Sequence, residues 1–135
     1  TKGRESEGHF RDLVIARGLT VCYISQHRDN PVNKLARHFP DFFIVEKAVF
    51  VQVKDGRRSA DFPSVIIEDE SYRACLALAE YGNNVLVVWE MPDGSFCGNR
   101  VENLISAGAI SDEARRNGSG TPAIKILKSC LVRWM

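Results

Sequence analysis

Apolar residues recur at helical spacing near the start of the chain. In "ESEGHFRDLVIARGL", Phe10, Leu13, Val14 and Arg17 follow one stripe and Gly18 supplies a stop, which predicts an amphipathic helix. "TVCYISQ" (20–26) is β-branched and aromatic, the pattern of a strand. The polar stretch "HRDNPVNKLARHFP" reads as a loop in which Asn30 and Pro31 can open a short helix, and Pro40 ends any helix before Asp41. Two apolar runs, 42–45 and 48–53, sit on either side of a tight "EKA" connection, so strands near 41–46 and 48–54 should pair antiparallel. After the basic loop "GRRSADFP", "SVIIE" (64–68) reads as a short strand. Asp69 or Ser71 then caps a helix to about Tyr81, with Cys75, Leu76, Leu78 and Ala79 as its buried side, and Gly82 and Asn83 end it. "NVLVVWE" is apolar throughout, as an interior strand should be, and "MPDGSFCGN" turns into a further strand. "VENLISAGAISDEARRNGSGTP" suggests a short helix and a flexible loop, and "AIKILKSCLVRW" a final strand. This order describes an α/β domain with a mixed central sheet flanked by helices.

Composition narrows the class. A chain of 135 residues, 44% apolar and 26% charged, suits one domain over 1–135 with a full hydrophobic core. It has no apolar run of bilayer length and no signal-peptide pattern, and its start at Thr1 fits a processed or trimmed chain. Cys22, Cys75, Cys97 and Cys130 form no CxxC pair and sit among apolar neighbours, which favours reduced core thiols and a cytoplasmic protein. The net charge of +1 divides unevenly: residues 1–58 hold 11 Lys/Arg against 7 Asp/Glu, and residues 59–135 hold 7 against 10. The first half is the basic one, an asymmetry that ordinary surface variation also produces.

That half contains polar residues where a buried hairpin should have none. Along 48–54 side chains alternate, so Val49, Val51 and Val53 share one face while Phe50, Gln52 and Lys54 share the other. With a turn centred near 47, Asp41 comes level with residues 52–54, and a carboxylate, an amide oxygen and a lysine converge at the sheet rim. Such a set can form part of an oxygen cage for Mg²⁺, which activates water and offsets charge on a phosphate, while the lysine orients the nucleophile. The competing reading is an edge-strand salt bridge between Asp41 and Lys54 with Gln52 solvated.

Pro40-Asp41 followed by Gln52-Val53-Lys54 resembles the signature of the PD-(D/E)XK nucleases, an acid opening one strand and an acid-x-lysine closing the next. Residues 4–90 also follow the family's order of a helix, three strands bearing the motif, a helix and a strand. "SYRACLALAEYGNNVLVVWE" is similar to the helix and strand after the lysine in archaeal Holliday junction resolvases and virus-type replication-repair nucleases. The resemblance implies a restriction-endonuclease-like core and a metal-dependent DNA endonuclease using Mg²⁺ or Mn²⁺. It implies Asp41, Gln52 and Glu7 at the metal and Lys54 beside the attacking water, with Glu7 the match to the family's helical glutamate and Glu5 a weaker one.

Gln52 departs from the motif, because an amide brings an oxygen but no charge and should lower metal affinity. Glutamine stands there in some branches of the family. A disabling replacement, or a lineage that binds without cutting, would leave the same pattern. Glu46 has the wrong parity to substitute. Lys34, Arg37, Arg57, Arg58, Arg115 and Arg116 are the candidate contacts to DNA, duplex or branched. His9, His27 and His38 are too scattered for a metal site, and Glu68, Asp69 and Glu70 are accounted for by a helix N-terminus. No phosphate-binding glycine motif occurs. The expectation is an endonuclease of phage, mobile-element or junction-processing type in a bacterial, archaeal or phage-infected cell. It would act as a homodimer without a membrane, because so small a domain covers only part of a duplex. The rivals are a binding module that keeps the fold without cutting and a small α/β interaction domain.

Overall fold

The first helix owes its position to residues four apart. In the computed structural model, which describes residues 2–24, 39–111 and 122–134, α1 spans Lys2–Ala16 and buries Ser6, Phe10 and Val14 completely. Gly18 stops it with φ +75°, a conformation an L side chain resists, and Leu19 N–H closes back on the Val14 carbonyl at 3.2 Å. Arg17, expected on the buried stripe, lies beyond the helix end and is exposed.

Six strands form a mixed sheet in the order β1-β2-β3-β5-β6-β9: Val21–Tyr23, Phe42–Ile44, Val49–Asp55, Val85–Glu90, Phe96–Arg100 and Val132–Arg133. Every neighbouring pair is antiparallel except β3–β5, which is parallel. Strands β2 and β3 join through a 3₁₀ turn at Val45–Lys47 and Ala48, whose φ of 47° is left-handed. A parallel pair needs a crossover, and here it consists of β4 (Ser64–Glu68) and α2 (Asp69–Glu80). Strand β4 leaves the main sheet and joins a second, three-stranded antiparallel sheet, β4-β8-β7, with β8 at Ala123–Leu127 and β7 at Ser106–Ile110.

Two cores result, one on each face. Phe10 and Val14 of α1 meet Phe42, Ile44, Val51, Val53, Val88 and Phe96, and the Phe10 ring lies 5.3 Å from those of Phe96 and Trp134. On the other face Val85, Val87 and Trp89 meet Val65, Ile67, Cys75 and Ile126. Strand β5 is buried at all six positions, as its apolar run requires.

Three expectations are corrected. The stretch from Val101 holds only a 3₁₀ turn, Val101–Asn103, and then strand β7 rather than a helix. "SAGAI" has the small residues of no strand signature, and a register shift between Ser106 and Gly108 accommodates them. The C-terminal run is two strands in different sheets, separated by a turn at Lys128–Cys130. Of the four cysteines, all free, only Cys75 is fully buried and Cys22 is exposed. The short helix expected from Asn30 and the loop around 112–121 lie outside the described residues. No described helix is long and apolar enough to cross a membrane.

Candidate active site

The hairpin register decides what meets at the rim. Phe42 pairs with Val51 and Ile44 with Val49, so Asp41 stands level with Gln52, one residue short of the pairing a turn centred at 47 would give. Asp41 is buried, and its Oδ2 accepts two hydrogen bonds, from Gln52 Nε2 at 3.1 Å and from Val53 N–H at 2.8 Å. Glu7, on α1, completes the group, its carboxyl close enough to act on that of Asp41. Burial first, and then the Glu7 carboxyl beside it, push Asp41 up to about 8, against the lowering effects of Val53 N–H and Lys54. Burial and a neighbouring carboxyl thus favour the neutral form of Asp41 well above the usual carboxylate range.

Gln52 is 5% exposed and its amide is half satisfied. Nε2 is used on Asp41, and Oε1 is buried with no hydrogen-bond partner among the described residues. Such an orphan costs about 1–3 kcal/mol. Oxygens of Glu7, Asp41 and Gln52 are therefore neighbours, with one raised carboxyl and an acceptor unsatisfied among the described residues. That donor chemistry fits a hard divalent cation, which would replace the proton and use the free amide oxygen. Among the described residues no three His, Cys, Asp or Glu side chains are grouped as a metal site, because the acids here are two and the third oxygen is an amide.

Lys54 lies near enough to Asp41 to oppose its rise, but its Nζ bonds Glu68 Oε2 at 2.6 Å. The alternative Asp41–Lys54 salt bridge is therefore not the arrangement found. Glu68 was assigned to helix capping by its place in the sequence, yet it makes no side-chain capping bond.

Arg57 also differs from expectation. Its Nε and Nη2 reach Asp55 and its Nη2 reaches Glu5, each at 3.0 Å, so the guanidinium ties α1 to the end of β3 rather than standing free for phosphate. Beside it the buried Glu90 carboxylate accepts from Ser6 Oγ at 2.8 Å and meets His9 Nδ1 at 2.9 Å. Ser6 and His9 flank Glu7 in the sequence, so Glu90 fixes the part of α1 that presents Glu7. His9 is an exposed surface residue whose ring nitrogen reaches that carboxylate. The one legible signal for Glu90 was its position as the only charge on an interior strand. Arg58 is exposed. Glu46 turns away to Thr20, accepting from its N–H and Oγ1 at 2.6 Å each. Lys34, Arg37, Arg115 and Arg116, like His27 and His38, lie outside the described residues.

No family model and no curated protein matches the sequence. Solved structures do. The chain is similar to Hjc of Archaeoglobus fulgidus, a Holliday junction resolvase from an archaeal hyperthermophile, with TM-score 0.61 and 13% identity over 95% of this chain and 90% of that one. At that identity the likeness shows the fold. It is a restriction-endonuclease-like α/β core with a mixed central sheet flanked by α1 and α2, as the motif resemblance implied.

Proposed function

We propose that the protein is a divalent-metal-dependent DNA endonuclease of the junction-processing kind, with Mg²⁺ or Mn²⁺ held by Glu7, Asp41 and Gln52. The observation that carries this reading is the convergence of two neighbouring carboxyls and an amide oxygen without a partner among the described residues, beside a lysine, on a fold that a junction resolvase also has. When bound, the cation supplies a lowered water pKa and charge stabilisation at a phosphate. The chain's own residues do the rest. Asp41 would give up its proton on binding, and Gln52 would turn its free oxygen inward. Lys54, held by Glu68 at 2.6 Å, donates to the attacking water or a non-bridging phosphate oxygen and aligns the two. Water forms the new P–O bond as the bond to the leaving sugar oxygen breaks, the water's proton passes to solvent, and the leaving oxygen takes a proton from solvent. Arg58, with Lys34, Arg37, Arg115 and Arg116, would contact flanking phosphates, and two copies would serve two strands.

The second reading is a binding module on the same fold, favoured by the neutral Gln52. Incubation with plasmid, four-way junction and single-stranded DNA in Mg²⁺ or Mn²⁺ separates the two. Cutting by the natural chain, lost at least about 100-fold in Lys54→Ala, is the expected result. Tight metal-independent binding without cutting would select the binding module, and neither binding nor cutting would overturn both.

A further inference from the structure

Glu68 occupies a place where an acidic side chain ordinarily serves a helix. It ends β4 and immediately precedes the first turn of α2, where a carboxylate can cap free N–H groups or complement the dipole. It makes no side-chain capping bond there. Its Oε2 takes a charge-assisted bond from Lys54 Nζ at 2.6 Å instead. The Lys54 side chain is only 18% exposed, so its charge is poorly solvated and depends on a partner. Position 52, two residues earlier on the same face of β3, offers an uncharged amide. Asp41 is committed to Gln52 and Val53. Cys75 of α2 also lies near Lys54, but burial pushes its thiol up to about 12 and it brings no charge.

We propose that Glu68 is the positioning residue of Lys54, supplying from the start of α2 the counter-charge that position 52 lacks. This rests on the metal-nuclease reading above and deepens it. With Glu7 and Asp41 ionised around a divalent cation, those two charges balance the ion, while Glu68 and Lys54 balance each other. Without Glu68, an uncompensated ammonium would face the cation across the site. Positions 52 and 68 are therefore coupled, and an acid at 52 can take over part of what Glu68 does.

Two measurements on the full chain test this. The first is trace acetylation of Lys54 in the metal-free protein, quantified by mass spectrometry against the other lysines. Glu68→Gln should raise Lys54 reactivity about fivefold or more, because the amine is released from the charge-assisted bond that holds and shields it. Glu68→Asp should return it toward the natural value. Reactivity within twofold of the natural protein in folded Glu68→Gln, checked by circular dichroism, overturns the positioning role. The second is Mn²⁺ binding by electron paramagnetic resonance. Glu68→Gln should weaken it on the order of tenfold, the scale of one nearby charge at an effective dielectric of about 20. Adding Gln52→Glu should recover more affinity in that background than it adds to the natural chain. Equal increments in the two backgrounds overturn the coupling. Acetylation needs neither metal nor DNA. A raised Lys54 reactivity in a chain that neither binds Mn²⁺ nor cuts would sink the nuclease reading while leaving the Lys54–Glu68 relation intact.

Discussion

An amide at position 52 gives one residue opposite effects on the empty and the filled site. Without metal, Gln52 donates to Asp41 and spares the site a third acid. With metal, it brings one neutral oxygen where a carboxylate would bring a charge. Gln52→Glu is therefore expected to destabilise the metal-free fold by about 1–3 kcal/mol, through a further carboxyl beside Asp41 and Glu7. The same change should tighten Mn²⁺ binding about tenfold or more. Thermal melts with and without Mn²⁺ check both, and a change of the same sign in each would contradict this account of the glutamine. The raised Asp41 carboxyl has its own signature. The folded-state value of Asp41 is raised from 3.8 to about 8, so the native state binds the extra proton between those limits. Its contribution to stability is full below about pH 4 and declines as pH rises toward 8. Urea unfolding in EDTA at pH 5 and pH 8 should show that loss, and Asp41→Asn should shrink the difference. Glu46 and Asp93 are shifted the other way, by hydrogen bonds from Thr20 and Ser95 respectively, so their contributions fall away only in more acid solution.

At the scale of elements, periodicity made most of the scaffold legible. The parity of β3 separated Val51 and Val53 from Gln52 and Lys54, and the unbroken apolar run of β5 marked it as interior. What parity could not tell is which distant side chain answers each polar one. Lys54 pairs with Glu68 across the crossover, and Glu90 with Ser6 and His9 across the helix–sheet interface, because three-dimensional adjacency at a parallel pair has no local sequence code. Strand β7 escaped for a different reason: small residues give a strand no hydrophobic alternation to read. The β5–β6 pair has a steric condition of its own. A Cβ on Gly98 would lie 2.0 Å from the Val87 carbonyl oxygen and 2.8 Å from Val88 Cα, so no side chain fits between the strands. Gly98→Ala should cost about 2–4 kcal/mol in denaturant unfolding. A loss under about 0.5 kcal/mol would mean that the strands part more readily than this contact implies.

For the whole molecule, the candidate site is a meeting of remote parts: Glu7 from α1, Asp41 and Gln52 from the hairpin, Lys54 at the end of β3 and Glu68 at the start of α2. A sequence with one motif match could name four of these five, because the motif is a spacing. It could not place Glu68, whose role depends on β4 leaving for a second sheet. The main sheet ends in β1 and β9, strands of three and two residues. Edges so short offer little to a passing chain.

The parallel pairing of β3 with β5 has a kinetic corollary. Lys54 closes β3 and Glu68 lies inside the crossover, between β4 and α2, while Trp89 of β5, level with Lys54, donates its indole N–H to the Ile66 carbonyl of β4 at 2.9 Å. The crossover must be wound before the parallel strand can dock, and contacts of long sequence separation form slowly. Trp89 is fully buried, so in a Trp134→Phe background its fluorescence reports that docking in a stopped-flow refolding experiment. Lys54→Ala should leave the rate of the Trp89 signal nearly unchanged, since the Lys54–Glu68 pair spans 14 residues within the crossover and does not join β3 to β5. Glu68 and Lys54 can then meet before β5 docks, and the lysine would have its counter-charge while the sheet is still half built.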